Sequence, residues 1–375
     1  MELHTSALCT LGDIAPLIRN HPASPPSGPI VKPLPHDLFI VHGRSAEMRW
    51  EAMRGQGYHV PTERFFVRNH TSTPIIDVRT WRLRLHGDAL RAPRTFRYED
   101  LLALPATTRD VTIECAGNGR SLFAGQQGTP ATGTQWRLGG IGVARWRGVP
   151  LSTLLDLAGI TKDAVDVLPV GLDQEYVENG VNLGHVRRPL PVAKALDDVL
   201  VAYEMNGEPL PPDHGFPARL VVPGWVGVAS IKWLGSIEVA ARELSSPWST
   251  GLYRLADRPL TTQVVKSAFE LPWEARLEAG RQHILHGRSW SGAGHIVKVE
   301  VSVDGGRSWQ RAHTRKRLAA AWAPWHIAWC PPAPGPYTLL ARATDETGAT
   351  QPVRAEYNPN GYLFDAVVEH PVTAV

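Results

Sequence analysis

The sequence predicts an α+β protein that ends in a β-sandwich, and three observations carry the prediction. Residues 36–255 mix short strand-like runs with helical stretches too short and irregular for a doubly wound sheet. Beyond about residue 256 the texture changes to alternating strands punctuated by Pro and Gly. Residues 1–35 contain seven prolines and read as an extended arm over the surface. With 375 residues the chain has material for two or three domains, and these boundaries divide it into an arm (1–35), a large mixed domain (36–255) and a sandwich (256–375).

Each element follows from local pattern. Trp81 to Gly87 and Asp110 to Glu114 read as strands. Tyr98 to Leu104 and Leu151 to Leu157 carry leucines at helical spacing, stopped by Pro105 and Gly159. From His295 to Val303 the alternation predicts Val297, Val299, Val301 and Val303 on one face and Lys298, Glu300 and Ser302 on the other, before the turn Asp304-Gly305-Gly306. Ala321 to Trp329 and Tyr337 to Thr344 read as further strands on either side of the breaker run Pro331 to Gly335. Short strands with turn signals over roughly 110 residues predict an immunoglobulin-like β-sandwich.

Composition excludes several classes of function. Apolar residues make up 43% and charged residues 20%, the balance of a folded globular chain. The 39 basic and 36 acidic side chains leave a net charge of only +3, which argues for no nucleic-acid or membrane partner. No run of about 18 apolar residues predicts a membrane span. The first 35 residues show neither a signal-peptide pattern nor a twin-arginine pair, so a cytoplasmic location is expected. Arginine outnumbers lysine 32 to 7, and arginine forms planar bidentate contacts with oxyanions. Cys9, Cys115 and Cys330 are too scattered for a disulfide framework or a Cys-only zinc site.

Glu114-Cys115-Ala116-Gly117-Asn118-Gly119-Arg120 follows a β-branched run. A Cys at a strand end, entering a Gly-containing loop with Arg120 five residues on, is placed to be exposed and held as thiolate. A small buried hydrophobe is the competing reading for a lone Cys. Phe65 to His70 sets polar side chains behind an aromatic pair, and Asp213 to Arg219 lies between a turn and an apolar run. Ser230-Ile231-Lys232-Trp233 follows shortly after.

In this order the motifs resemble the sulfite oxidase family of molybdopterin oxidoreductases, over about residues 60 to 370. The resemblance rests on Val67-Arg68-Asn69-His70, Glu114 to Asn118, Ala144 to Val149, Ala202 to Leu210, Asp213 to Pro217, Lys232-Trp233-Leu234 and Lys298 to Gly306. It implies a mixed molybdopterin-binding domain followed by that family's dimerisation domain, hence a homodimer. It implies Mo-molybdopterin as cofactor, with Cys115 as the thiolate ligand to molybdenum, a soft donor suited to such a metal. Matching residue by residue, Phe66, Val67, Arg68, Asn69, His70, Asp173, His214, Arg219, Ser230, Ile231 and Lys232 are expected to hold the pterin. Asp173 and His70 suit the ring edge, and Arg219, Lys232 and His214 suit the phosphate. Arg68, Arg120 and Trp136 match a pocket for a small anionic substrate. The implied reaction is two-electron oxygen-atom transfer to a sulfur oxyanion, with water as oxygen source and molybdenum cycling between +6 and +4.

One departure bears on mechanism. The active-site tyrosine of vertebrate and plant sulfite oxidases has Val186 at its nominal position here, in Gly184-His185-Val186-Arg187-Arg188-Pro189-Leu190. Arg188 instead resembles an arginine of bacterial sulfane dehydrogenase catalytic subunits and is expected to meet the substrate anion with Arg68 and Arg120, and His185 becomes the expected proton-handling group. No Cys-x-x-Cys-His haem site or cytochrome b5-like module is found in the sequence, so electrons are expected to pass to a separate acceptor, a cytochrome or other carrier. A reductase of S-oxide substrates, a metal-free Cys115 nucleophile and a non-catalytic binding protein are the alternative readings.

Overall fold

The computed structural model of the protein describes residues 28–315 and 321–375. Most of the Pro-rich arm, including Cys9, lies outside the described residues. The described part of the arm is anchored: the amides of Val31 and Lys32 donate to the Asp213 carboxylate, at 3.0 and 2.7 Å.

Beside a three-stranded sheet of Phe39–His42, Ser45–Met48 and Val67–Arg68 and the hairpin Tyr176–Glu178/Val181–Gly184, two larger sheets dominate the mixed domain. One runs in the order Leu190–Pro191, Asp166–Gly171, Leu234–Ala240, Leu83–His86, Arg94–Phe96, with Leu234–Ala240 parallel to Leu83–His86. The other runs Glu208–Pro209, Leu200–Met205, Ile141–Pro150, Thr107–Glu114, with Arg219–Val221 also on Leu200–Met205. The pattern in Ile141–Pro150 shows why it is a strand. Trp146 is buried while its neighbours Arg145 and Arg147 are exposed, and these pair with Asp110 and Glu204 on adjacent strands. The helices Tyr98–Ala103 and Leu151–Leu157 are as short as the leucine spacing predicts. The second buries Leu151, Leu154 and Leu155 and ends before Gly159, which is left-handed at φ 70°.

The C-terminal part is the expected sandwich. Lys266–Phe269, His283–Trp290, Ala323–Trp329 and His313–Thr314 form one sheet. Ala275–Leu277, His370–Ala374, Gly335–Asp345, Ile296–Ser302 and Gln310–Arg311 form the other. Phe269, Leu285, Val299, Val301, Trp325 and Leu339 fill the space between. The alternation predicted for His295 to Val303 holds only from Lys298 onward. A register shift between Ile296 and Lys298 turns Val297 outward, where it is 48% exposed, because a bulge inserts one unpaired residue.

The two parts dock through buried polar contacts. Lys266 Nζ donates to Glu114 Oε1 at 2.9 Å and to the Asn118 carbonyl at 2.8 Å, and Trp290 Nε1 donates to Glu114 Oε2 at 3.1 Å. Farther out, Trp50 Nε1 donates to the Phe269 carbonyl at 2.8 Å. Removing one partner of a buried ion pair strands the other charge, at about 3–5 kcal/mol. Lys266→Ala is therefore expected to lower unfolding free energy by about that much in urea titration, and Trp290→Phe by about 1 kcal/mol. Equal, negligible effects of the two would show that Glu114 does not depend on the second domain.

Candidate active site

The strand Thr107–Glu114 ends inside the molecule, and Cys115 begins the turn that follows. Cys115 N donates to the Gly140 carbonyl at 2.8 Å, Asn118 N to the Cys115 carbonyl at 2.9 Å, and Gly140 N to Asn118 Oδ1 at 3.0 Å. The thiol is not exposed as the sequence suggests; Cys115 is 7% accessible and faces an internal pocket. Phe66, Arg68, Asn69, His70, Asp173, His214, Arg219, Ser230, Ile231 and Lys232 line that same pocket. Ten of the eleven residues expected around a pterin thus converge from four separate stretches of chain. The eleventh, Val67, does not: it alternates away from Phe66 and Arg68 and packs with Ile30, Phe39 and Ala46.

Electrostatics divide the pocket in two. At the inner end, Arg219 donates to the carbonyls of His214 and Ser230, at 3.0 and 2.9 Å. Lys232 donates to Asn69 Oδ1 and, at 2.8 Å, to the Asp213 carbonyl. Their hydrogen bonds go to neutral acceptors. The nearest carboxylate, Asp213, is occupied by two backbone amides and by Thr73 Oγ1 at 2.5 Å. Burial pushes Arg219 down to about 9, and burial with the Arg219 charge holds Lys232 well below the usual lysine range. His214 Nε2 is buried without a partner, and burial plus Lys32, Lys232 and Arg219 keep this imidazole neutral. Two cations with no carboxylate in ion-pair contact among the described residues, and an orphan donor or acceptor, call for an anionic, polar occupant. A pterin ending in a phosphate meets that demand.

At the outer end Arg68 lines the pocket together with Cys115. Its Nη2 donates to His70 Nε2 at 2.8 Å, and the Tyr253 hydroxyl points at the same nitrogen at 2.9 Å. Nε2 must therefore offer its lone pair and the proton must sit on Nδ1. Burial, then Arg68 and Lys232, hold His70 well below 6.5, consistent with a neutral ring. Burial opposes the Arg68 charge, but Tyr253 and Cys115 beside it outweigh that and raise its pKa. Burial likewise raises the Tyr253 phenol.

Tyr253 corrects the sequence reading. Val186 does line the pocket, but a tyrosine enters from a different segment, 67 positions farther on. It sits at φ 50°, a left-handed conformation that costs a bulky residue of order 1–3 kcal/mol and needs support from its surroundings. Arg188, expected to meet substrate, stands behind this turn. It is 1% exposed and donates to the carbonyls of Trp248 and Leu260, which bracket Tyr253, and burial lowers it to about 10. His185 turns away from the thiol, with Nδ1 on the Asp173 carbonyl. Neither residue lines the pocket.

Arg120 and Trp136 lie one layer back. Trp136 packs edge-on behind Phe66, at 6.2 Å between ring centroids. Arg120 donates to the carbonyls of Thr134 and Asn360, both at 2.7 Å. Its side chain lies so close to three glycines that a Cβ at Gly117 or Gly133 would stand 2.7 or 3.2 Å from the guanidinium and one at Gly361 2.6 Å from Cγ. Three glycines thus give Arg120 its place beside the Cys115 turn.

Known proteins resemble this chain along most of its length. The oxidoreductase molybdopterin binding domain matches residues 70–248 and the Mo-co oxidoreductase dimerisation domain matches residues 262–368. Mitochondrial sulfite oxidase of Rattus norvegicus is 33% identical over 389 aligned positions, covering 95% of this chain and 69% of its own. The Homo sapiens protein is 35% identical over 338, covering 83% and 61%. The chain therefore spans 61–69% of the length of these relatives. The crystal structure of the sulfane dehydrogenase SoxCD from Paracoccus pantotrophus superposes with a TM-score of 0.74 at 30% identity, over 86% of this chain and 82% of that one.

The buried histidines make stability pH-dependent. Burial keeps His214 neutral and lowers His370 to about 4, whereas unfolded histidines titrate near 6.5. Below pH 6.5 the unfolded state binds more protons, so stability is present above that pH and is lost as pH falls. His370 accounts for about 1.4 kcal/mol of that loss at pH 5.5, and His214 adds to it in the same direction. Thermal unfolding of the cofactor-free protein at pH 7.5, 6.5 and 5.5 should show most of the loss in the last step; a flat profile would contradict the neutral assignments.

Proposed function

The chain belongs to the sulfite oxidase family of molybdenum-dependent oxidoreductases, and from that premise we propose that it oxidises a small sulfur oxyanion, sulfite or a close relative, by two-electron oxygen-atom transfer. The observation that carries this reading is the Cys115 thiol facing Arg68, His70 and Tyr253 at the outer end of a pocket whose inner end is cationic. In the net reaction sulfite and one water give sulfate, two protons and two electrons, and the electrons leave to a separate acceptor. When bound, the molybdenum cofactor supplies the oxo transfer and the redox change, which no side chain here can perform.

The chain's own residues supply position, field and proton handling. Cys115 offers the soft sulfur donor. Lys232, Arg219 and His214 suit the phosphate end, and Asp173, whose carboxylate accepts from Val186 N at 3.2 Å, suits the ring edge. Arg68 presents fixed positive charge to an incoming anion inside a pocket of low dielectric. Arg120 lies close enough beside the Cys115 turn to add to that field. Tyr253 holds a proton on its hydroxyl next to a neutral histidine, an arrangement suited to giving or receiving a hydrogen bond from a substrate oxygen. His185 is not required for that role. The match to a sulfane dehydrogenase supports testing sulfane sulfur beside sulfite as substrate. The match of residues 262–368 to a dimerisation domain supports a homodimer.

Three variants test the reading. Cys115→Ser should keep the fold and abolish turnover, since a hard oxygen donor replaces the thiolate. Arg219→Ala and Lys232→Ala should purify with little pterin; full cofactor with failed turnover would misplace the phosphate. Purified holoenzyme should contain molybdenum and reduce an artificial acceptor only when sulfite or sulfane sulfur is added; absence of both responses would overturn the proposed substrate class.

A further inference from the structure

A loop of the C-terminal sandwich packs behind the residues that line the site. Between the strands Gly335–Asp345 and His370–Ala374 the chain leaves the sandwich and meets the catalytic domain through Asn358 to Phe364. Leu363 N donates at 2.8 Å to the carbonyl of Ala116, the residue after Cys115. Arg120 Nε donates to the Asn360 carbonyl, and Thr132 N to the Pro359 carbonyl at 2.8 Å. Asn358 closes the loop on itself, donating to the Tyr362 carbonyl and accepting from Tyr362 N, both at 2.9 Å. The ring held out by this loop, that of Tyr362, stacks on Tyr253 with centroids 5.4 Å apart and planes 18° from parallel. The Arg120 guanidinium lies 5.3 Å from the centre of the same ring.

We propose that Tyr362 is a positioning residue, whose ring fixes both the Tyr253 phenol and the Arg120 guanidinium beside Cys115. The inference rests on the functional reading above in assigning those two groups to turnover and anion binding. Tyr253 occupies a left-handed backbone conformation and cannot hold its place by local preference. Its hydroxyl is held by His70, its carbonyl accepts from Leu260 N at 2.8 Å, and its ring face is held by Tyr362. The Tyr362 loop is as specifically built, with Gly361 and Leu363 both left-handed at φ 55° on either side of it. Two strained turns from different domains thus present two rings face to face. The ring face meets both the Tyr253 ring and the Arg120 guanidinium, and the Tyr362 hydroxyl adds a contact to the Tyr253 backbone.

The test compares holoenzymes of Tyr362→Ala and Tyr362→Phe. Tyr362→Ala should keep its molybdenum content while kcat falls roughly ten- to a hundredfold through misplacement of Tyr253 and KM for sulfite rises through misplacement of Arg120. Tyr362→Phe, which keeps the ring face and loses only the hydroxyl contact to the Tyr253 backbone, should restore KM to near wild type and recover most of kcat. A merely structural role would lower the active fraction and leave KM unchanged. The inference is overturned if Tyr362→Phe is as impaired as Tyr362→Ala, if Tyr362→Ala keeps its kcat and KM, or if activity is lost only in proportion to molybdenum. Wild-type turnover tests the substrate reading separately. Crystal structures of the two variants test the positioning without any assay: the Tyr253 ring should shift or lose order in Tyr362→Ala and stay in place in Tyr362→Phe, and an unmoved ring in the first would refute the inference.

Discussion

The buried carboxylate of Glu114 is the constraint on which the site depends. It precedes Cys115 directly, and both its oxygens are used, by Asn118 Nδ2 and Lys266 Nζ on one side and by Trp290 Nε1 on the other. A carboxylate only 3% exposed is tolerated because it is fully paired, and two of its three partners belong to the second domain. Lys266 also grips the Asn118 carbonyl, so one ammonium fixes both ends of the turn that carries the thiol. The direction in which Cys115 points is therefore set from across the domain interface. The strand alone would leave Glu114 buried and charged without a counterion, which is the costliest arrangement open to it.

The pocket shows the opposite balance. Where Glu114 is satisfied, Lys232, Arg219 and His214 are not, since their protein partners are neutral or missing. The depressed pKa values of the two cations express that deficit: burial outweighs the more distant pull of Asp213 and Asp173 on Lys232, and only burial acts on Arg219. An anionic group placed there recovers the cost, so the same residues that weaken the empty protein strengthen the loaded one. The outer end is arranged differently. Arg68 has a neutral imidazole and a neutral phenol as neighbours, so its charge is directed by hydrogen bonds without being cancelled by a carboxylate. Binding and chemistry thus occupy different electrostatic settings within one cavity.

Much of this was legible in the sequence, for a physical reason. Phe66 to His70, Asp213 to Arg219 and Ser230 to Lys232 are contiguous stretches with several side chains on one pocket, and as ordered motifs they carry the family resemblance. The α+β class and the sandwich were legible because burial imposes periodicity on strands such as Ile141–Pro150 and Ile296–Ser302. Val297 escaped because a bulge depends on the partner strand's register. Val67 was drawn into the site only by its neighbours in the motif. Tyr253 and Tyr362 were invisible for a different reason. Each is a single aromatic in an irregular stretch, and its role depends on a partner more than a hundred positions away. The nearest signals, Gly251 before Tyr253 and Asn360-Gly361 before Tyr362, indicate turns and say nothing about what the turns present.

These misses share a location. The sequence division near residue 255 falls two positions after Tyr253, and Tyr362 and Lys266 lie beyond it. Residues that serve one domain's interior leave periodic or clustered traces, whereas residues that complete a site from across an interface leave almost none. Arg120 illustrates the consequence. In the sequence it is one more arginine near a cysteine. In the fold it is wedged among glycines from three separate turns, Gly117, Gly133 and Gly361, and tied to a carbonyl of the second domain. Its place beside the thiol is a property of the assembled pair of domains. The sandwich is therefore more than a dimerisation surface appended to a finished catalytic unit: by Lys266, Trp290, Asn360 and Tyr362 it supplies the contacts that make the catalytic turn and its neighbours one rigid arrangement.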